Sequence, residues 1–228
     1  MNQDVNQRAV VLLSGGLDST TCLAYALDKG YECFALSVNY GQKHNAEIKA
    51  AARIATSYEC EHRIIDVDVG QFGGSALTDP DLSVPTPDTP STDIPLTYVP
   101  ARNTMMLSIA MAWAETLAAE KIFIGVNAVD YSGYPDCRPE YIEAFNAMAA
   151  LATKSGVDGQ AIRVVAPLQY LTKQEIIKLG TGLGVNYANT VTCYQADERG
   201  AACGVCEACS FRKAGFVKAG LTDPTVYV

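Results

Sequence analysis

Ser14, Gly15, Gly16, Leu17, Asp18 and Ser19 follow directly on the apolar run Ala9 to Leu13, so a buried strand should run straight into a hydroxyl-flanked glycine turn. Such a junction is suited to gripping phosphate. Gly15 and Gly16 can take positive φ and let backbone N–H groups converge on an anion, while Ser14 and Ser19 add hydroxyl donors at the rim. A helix starting near Asp18 and running to about Lys29 would aim its positive end at the same spot, with Leu23, Ala26 and Leu27 on its buried stripe. The loop is neither of the common nucleotide loops. Four residues between its glycines followed by Lys and Ser or Thr are missing, and so is the G-x-G-x-x-G spacing. Asp18 puts a carboxylate beside the expected phosphates, which implies a bridging metal or a capping role. A Gly-Gly turn with a Ser or Asp N-cap is the plainer alternative.

A second cluster is built for metal. Cys193, Cys203, Cys206 and Cys209 are spaced C-x9-C-x2-C-x2-C. Four thiolates complete a tetrahedral shell, which points to one structural zinc ion per chain. An iron–sulfur cluster takes the same ligands, but the fourth cysteine lies upstream and no trailing C-P follows. Gly200 and Gly204 give the knuckle turn freedom, and a last helix should start near Glu207. Cys22, Cys33, Cys60 and Cys137 are scattered and read as small buried hydrophobes.

Four further sites sit where predicted elements change. Lys43 and His44, after a second strand, could meet phosphate or a carboxylate substrate, although a lone His is more often structural. Pro100 stiffens the approach to Arg102, whose guanidinium could hold a carboxylate or phosphate bidentately or form a structural ion pair. The loop Asn127 to Arg138 offers Tyr134 to stack a heteroaromatic ring, Asp136 to accept two N–H bonds from a guanine-like edge, and Arg138 to neutralise an acid. Its plainer reading is a Pro-Gly turn with an Asp cap. Leu171 to Ile176 form a T-x-x-E capping box with an apolar staple. Lys173 is the odd member, because a cation in a first helical turn opposes the dipole by roughly 0.3–1 kcal/mol. A bound phosphate would remove that penalty.

The elements that must position these residues alternate. Strand-like runs occur at Ala9–Leu13, Glu32–Asn39, His62–Val69, Lys121–Val126 and Ile162–Pro167, with helix-period segments between most of them. The pattern predicts an α/β fold with a doubly wound, mainly parallel sheet and ligands beyond the strands' carboxyl ends. Met105 to Ala119 should be a largely buried helix, and Ile142, Phe145, Ala149 and Ala152 mark the inner face of another. Residues 1–188 read as the α/β domain and 189–228 as the cysteine-bearing region packed on the same core. Gly70 to Pro100, with Pro85, Pro87, Pro90 and Pro95, is either a surface excursion or a lid. With 228 residues and 49% hydrophobic content, one sizeable core fits better than two domains. The net charge of −8 argues against tracking a nucleic-acid backbone, so a small substrate is expected. No apolar run suits a signal peptide or a membrane span, and the expected location is the cytoplasm.

The turn S-G-G-x-D-S after a first strand resembles the loop of ATP pyrophosphatases, which split ATP between its α and β phosphates. Together with Y-G-Q-K-H, V-P-A-R-N, S-G-Y-P-D-C-R and T-C-Y followed by C-x2-C-x2-C, it resembles the 7-cyano-7-deazaguanine synthase family of the queuosine pathway, from Ala9 to about Cys209. Two departures stand out: Ala101 where Gly is usual, and Lys43 where Arg is usual. The resemblance implies a Rossmann-like fold of the adenine nucleotide hydrolase type, with ATP held by Leu13, Ser14, Gly15, Gly16, Leu17, Asp18, Ser19, Thr20, Thr21, Cys22 and Leu23. It implies that Asp18, Lys43, Arg102 and Lys173 serve the chemistry, Mg²⁺ bridging Asp18 and the phosphates. Tyr134, Asp136 and Arg138 would bind 7-carboxy-7-deazaguanine, and backbone groups of Ser37 to Asn39 would read adenine. The acid is adenylated, ammonia displaces AMP, and a second ATP activates the amide for dehydration to the nitrile. A homodimer is expected by resemblance alone. The rival readings are a tRNA-thiolating pyrophosphatase and a zinc-knuckle binding protein regulated by nucleotide.

Overall fold

β1 (Arg8–Leu12) is buried on both faces, because Ala9 and Val11 join one apolar layer while Val10 and Leu12 join the other. It pairs in parallel with β2 (Glu32–Asn39) and with β4 (Lys121–Phe123). β3 (Glu61–Asp66) and β5 (Arg163–Val165) form the edges, giving the all-parallel order β3-β2-β1-β4-β5. This computed structural model describes residues 7–86, 94–129 and 133–228. Asp130, Tyr131 and Ser132 of the expected recognition loop, with Pro87 and Pro90 of the long irregular stretch, lie outside the described residues.

All five strands stand where hydrophobic runs predict them, and the sheet is doubly wound. The helices α1 (Leu17–Asp28) and α2 (Ala46–Ser57) cover one face, whereas α3 (Arg102–Thr116) and α4 (Pro139–Ala152) cover the other. A short α5 (Lys154–Val157) follows, and α6 (Lys173–Gly182) with α7 (Glu207–Ala219) completes the first layer. β4 and β5 are shorter than the apolar runs suggest. Past Phe123 the chain bends into the crevice, where Ile124, Val126 and Asn127 line a cavity instead of extending the ladder. No described helix is long and apolar enough to cross a membrane.

Two helices depart from expectation. α3 begins at Arg102, not Met105, and it is buried only along Asn103, Leu107, Ala110, Trp113 and Ala114. Its alanine- and methionine-rich composition hides the fact that one flank meets solvent. On α4, Ile142, Phe145 and Ala149 point inward as predicted, but Ala152 is exposed because the helix ends there. The capping box at α6 forms as read: the Thr172 hydroxyl accepts from Glu175 N, and Thr172 N donates to Glu175 Oε2 at 2.8 Å. Because the strand order reverses between β1 and β4, a crevice opens at their carboxyl ends, and that is where the glycine turn lies.

Candidate active site

The glycine turn leaves β1 and enters α1 under tight steric control. Gly15 has φ +86°, and a Cβ there would lie 2.3 Å from the Glu47 carbonyl oxygen on α2. Only glycine satisfies both constraints. The turn's amides are held by hydroxyls: Ser14 N donates to Ser19 Oγ at 3.1 Å, Gly16 N to Ser14 Oγ at 3.3 Å, and Leu17 N to Thr192 Oγ1 at 2.9 Å. These are the donors an anion at the helix N-terminus would recruit. Thr20 and Thr21 instead turn their hydroxyls back to the carbonyls of Gly16 and Leu17, and Cys22 and Leu23 are fully buried. The line of expected ATP ligands therefore divides into cleft-facing residues, Leu13, Ser14 and Gly16 to Ser19, and a supporting set.

Asp18 and Lys173 meet across 155 residues of sequence. Lys173 Nζ lies 2.8 Å from each Asp18 carboxylate oxygen, and the two side chains are 6% and 17% exposed. The cation that opposes the dipole of α6 is thus placed beside the glycine turn. Gly215 of α7 makes the burial possible, since a Cβ at that position would sit 2.5 Å from Lys173 Cγ.

Opposite the turn, the crevice is a cavity of about 230 Å³. Leu12, Leu36, Val38 and Met106 supply apolar lining suited to a flat ring, and Arg102, Tyr134 and Cys137 line the same cavity as Ser14 and Asp18. Arg102 is delivered at the first position of α3 by Ala101, which adopts a left-handed φ of 55°. Its guanidinium lies over the Tyr40 ring, 5.6 Å from the centroid, and hydrogen-bonds the phenol. The Asp136 carboxylate and the bond to the Tyr40 hydroxyl outweigh desolvation and hold the Arg102 guanidinium above its usual range. Asp136 is buried, accepts from Asn103 N at 3.1 Å in the first turn of α3, and among the described residues its Oδ1 has no hydrogen-bond partner. The Tyr134 hydroxyl meets Thr97 Oγ1 at 2.5 Å. Burial pushes the Cys137 thiol up to about 12, which leaves it a poor nucleophile, consistent with its place as wall.

Two basic residues expected at the site do not line the main cavity. Lys43 donates to the Leu82 carbonyl at 2.6 Å and does not line the main cavity, because the turn after β2 sends it toward the 75–82 segment. Arg138 is exposed and donates to the Pro135 carbonyl at 3.2 Å, because α4 starts at once and carries it outward. Ser37, expected beside adenine, turns its side chain to the Leu13 carbonyl and His62, while its strand neighbours Leu36 and Val38 face the cavity.

Residues 8–220 match the family model described as queuosine biosynthesis protein QueC. The chain belongs to the QueC family. It is 63% identical over 222 residues to the 7-cyano-7-deazaguanine synthase of Aromatoleum aromaticum, covering 97% of this chain and 98% of that one. It is 58% identical over 228 residues to the 7-cyano-7-deazaguanine synthase of Pseudomonas aeruginosa, covering both completely. Among solved structures, NMN synthetase from Francisella tularensis shares the fold with a TM-score of 0.50 at 16% identity, over 97% of this chain and 80% of that one.

In this QueC family member the cysteine cluster lies directly behind the glycine turn. The four Sγ atoms lie within 4.8 Å of one another, with Cys206 Sγ 3.5 Å from Cys209 Sγ and 4.0 Å from Cys193 Sγ. Tetrahedral thiolates bonded at about 2.3 Å would be separated by about 3.8 Å, so the donor set fits such an ion. Cys193 Sγ also accepts from Gln195 N at 3.3 Å and Cys203 N at 3.2 Å, bonds that favour a thiolate. The segment beginning the cluster touches the turn itself: Val191 N donates to the Gly15 carbonyl at 2.9 Å, and Thr192 caps Leu17. Arg212, 1% exposed, locks that segment through Thr190, Tyr187 and Asp223.

Glu47, Thr192 and Leu77 line the cavity without having been singled out in the sequence. Glu47 sits in the first turn of α2 where acids are routine, so spacing gave no signal. Burial pushes its carboxyl up to about 7 despite the nearby Arg102.

Proposed function

We propose that this crevice converts 7-carboxy-7-deazaguanine and ammonia into 7-cyano-7-deazaguanine at the expense of ATP, releasing AMP and pyrophosphate. One observation carries the reading: Ser14, Gly16, Leu17, Asp18 and Ser19 share a single cavity with Arg102 and Tyr134, and Lys173 is paired with the Asp18 of that lining. ATP lies with its phosphates on the turn and its base against the apolar wall. The substrate carboxylate, a poor electrophile, attacks the α-phosphorus, and pyrophosphate departs. Lys173 turns from Asp18 to the β and γ phosphates, leaving the carboxylate for the Mg²⁺ that accompanies ATP. Arg102 offsets the repulsion between the substrate carboxylate and the nucleotide, so it positions the two anions for attack. Tyr134 stacks on the deazapurine, and Asp136 Oδ1 accepts an N–H from its guanine-like edge. No side-chain nucleophile is used, and Lys43 and Arg138 have no part in this arrangement.

Zinc is the ion we assign to Cys193, Cys203, Cys206 and Cys209, where a complete thiolate shell leaves no open position for chemistry. Residues 1–188 then carry the ATP chemistry, and 189–228 form the knuckle that braces it. We also assign a cytoplasmic homodimer, checked by sedimentation. The deciding experiment is mass spectrometry of the products formed from the acid, Mg-ATP and ammonium. The nitrile, AMP and pyrophosphate are expected, with no release of AMP when the acid is omitted. ADP as product, or a requirement for tRNA, would overturn the reading.

A further inference from the structure

One acid reaches the crevice that the scheme above leaves without a task. Glu47 stands in the first turn of α2 and lines the same cavity as Ser14, Arg102 and Tyr134. Its place is fixed, because its carbonyl oxygen packs so closely on the glycine turn that a Cβ at Gly15 would lie 2.3 Å away. Among the described residues no hydrogen bond or ion pair engages its carboxyl, although the Arg102 charge acts on it. Burying a carboxyl without a partner costs free energy, so its presence in a cavity suited to anions calls for a use.

Dehydration of the amide calls for a base. Once the amide oxygen has attacked the α-phosphorus of the second ATP and pyrophosphate has left, the nitrogen still carries both its hydrogens. The first, on a cationic imidate, is acidic and passes to water. The second leaves as the C–O bond breaks: the N–H electron pair becomes the new C–N bond of the nitrile, and the C–O pair departs with AMP. A neutral imidate N–H is a weak acid before that step and a strong one during it, the situation in which a positioned base gains most. The other candidate bases on the cavity wall are taken. Asp18 is paired with Lys173, the Tyr40 phenol is bonded to Arg102, and the Tyr134 hydroxyl meets Thr97. Burial pushes the Cys137 thiol up to about 12, so it keeps its proton.

We propose that Glu47 is the general base of the amide-to-nitrile step, its carboxylate taking the last N–H proton as AMP departs. The inference rests on the ligase reading above and deepens it. Arg102 links the two, since it positions the reacting substituent in that scheme and its charge reaches the Glu47 carboxyl. Burial raises the carboxyl's affinity for a proton, which strengthens it as a base. The proton passes on to solvent as the nitrile leaves. Conversion of acid to amide draws less on Glu47, because the adduct of ammonia with the acyl-adenylate carries a cationic nitrogen that gives up its proton to water.

The test is Glu47→Gln in the full chain, isosteric and unable to take the proton. Amide and nitrile formed from the acid, Mg-ATP and ammonium are followed by mass spectrometry, and ATP–pyrophosphate exchange is measured with the amide as the only other substrate. Nitrile formation should fall by about 10²-fold or more, the share a positioned base contributes. The amide should accumulate, with its own formation slowed by less than about tenfold, since the lost interaction is made only in the later transition state. Amide-dependent exchange should persist, because adenylating the amide needs no base, and its persistence also shows that the variant is folded. A loss of nitrile, amide and exchange in equal measure overturns the assignment, as does nitrile formation at the unaltered rate. Failure of the unaltered protein to turn the acid into either product would instead sink the ligase reading.

Discussion

Asp18→Asn keeps the shape of the side chain and removes the charge that faces Lys173. The pair is 2.8 Å apart with the ammonium 6% and the carboxylate 17% exposed, so the substitution leaves a nearly buried cation without its carboxylate. Breaking a buried pair costs about 3–5 kcal/mol, and the residual exposure of Asp18 lets water recover part, so a loss of about 2–3 kcal/mol is expected. In a chain of this length that lowers Tm by about 4–12 °C. Adding Lys173→Met removes the stranded charge, so the double variant should be more stable than the sum of the singles predicts, with a coupling of about 1–3 kcal/mol by urea unfolding. Activity behaves differently from stability. Each single variant should lose about 10²–10³ in AMP release, because each removes charge stabilisation at the departing pyrophosphate. A coupling below about 0.5 kcal/mol would show that the two side chains are not a pair in solution. Full AMP release by Asp18→Asn would refute its role with Mg²⁺.

Ala101→Gly should stabilise the protein. The left-handed φ of 55° costs a non-glycine residue about 1–2 kcal/mol, and the extra freedom of unfolded glycine returns about half of that, for a net gain near 0.5–1 kcal/mol, read as a higher urea midpoint at unchanged slope. Glu47, with its carboxyl held up at about 7, contributes stability that is fully present below pH 4.5 and is lost as pH rises through 7. Glu47→Gln should flatten that decline between pH 4.5 and 7.5 in unfolding titrations, and a parallel pH profile would rule the carboxyl out as its source. Cys206→Ser should cut bound zinc, read by elemental analysis, and weaken nucleotide binding with it. Unaltered ATP affinity in metal-free protein would contradict the mechanical link between knuckle and turn.

How far the sequence reached depended on the range of the interaction. The five strands, the start of α1 and the capping box of α6 were legible because each is set by neighbours in sequence: alternating burial, a glycine turn, Thr172 with Glu175. The glycine turn and the four-cysteine cluster are legible because residue type and spacing alone define them. The directions of Lys43 and Arg138 are not legible in the sequence, because a basic residue after a strand can point either way, and here the Leu82 and Pro135 carbonyls take them. Lys173 was singled out by the oddity of a cation at a helix start, yet its partner Asp18 could not be read from a separation of 155 residues. Glu47 and Thr192 were missed because nothing local distinguishes them. Their positions follow from the reversal of strand order, which brings the turn after β1, the start of α2 and the cysteine segment together.

That convergence gives the knuckle a mechanical meaning. Leu17 N, a donor that the start of α1 leaves unsatisfied, is capped by a hydroxyl from Thr192, one residue before Cys193 of the cysteine cluster. The Gly15 carbonyl is held by Val191, and the Thr192 carbonyl accepts from Cys209 Sγ at 3.8 Å. Residues 191–193 therefore connect the glycine turn to two of the four thiols through backbone and one side chain, with Arg212 fixing the same segment from beneath. A phosphate loop gains from preorganised donors, because amides already aimed at the anion need not reorient during the reaction. An ion that clamps Cys193 to Cys209 would restrain the Thr192 hydroxyl, and through it the first turn of α1. A structural metal can thus serve a site whose chemistry it never touches.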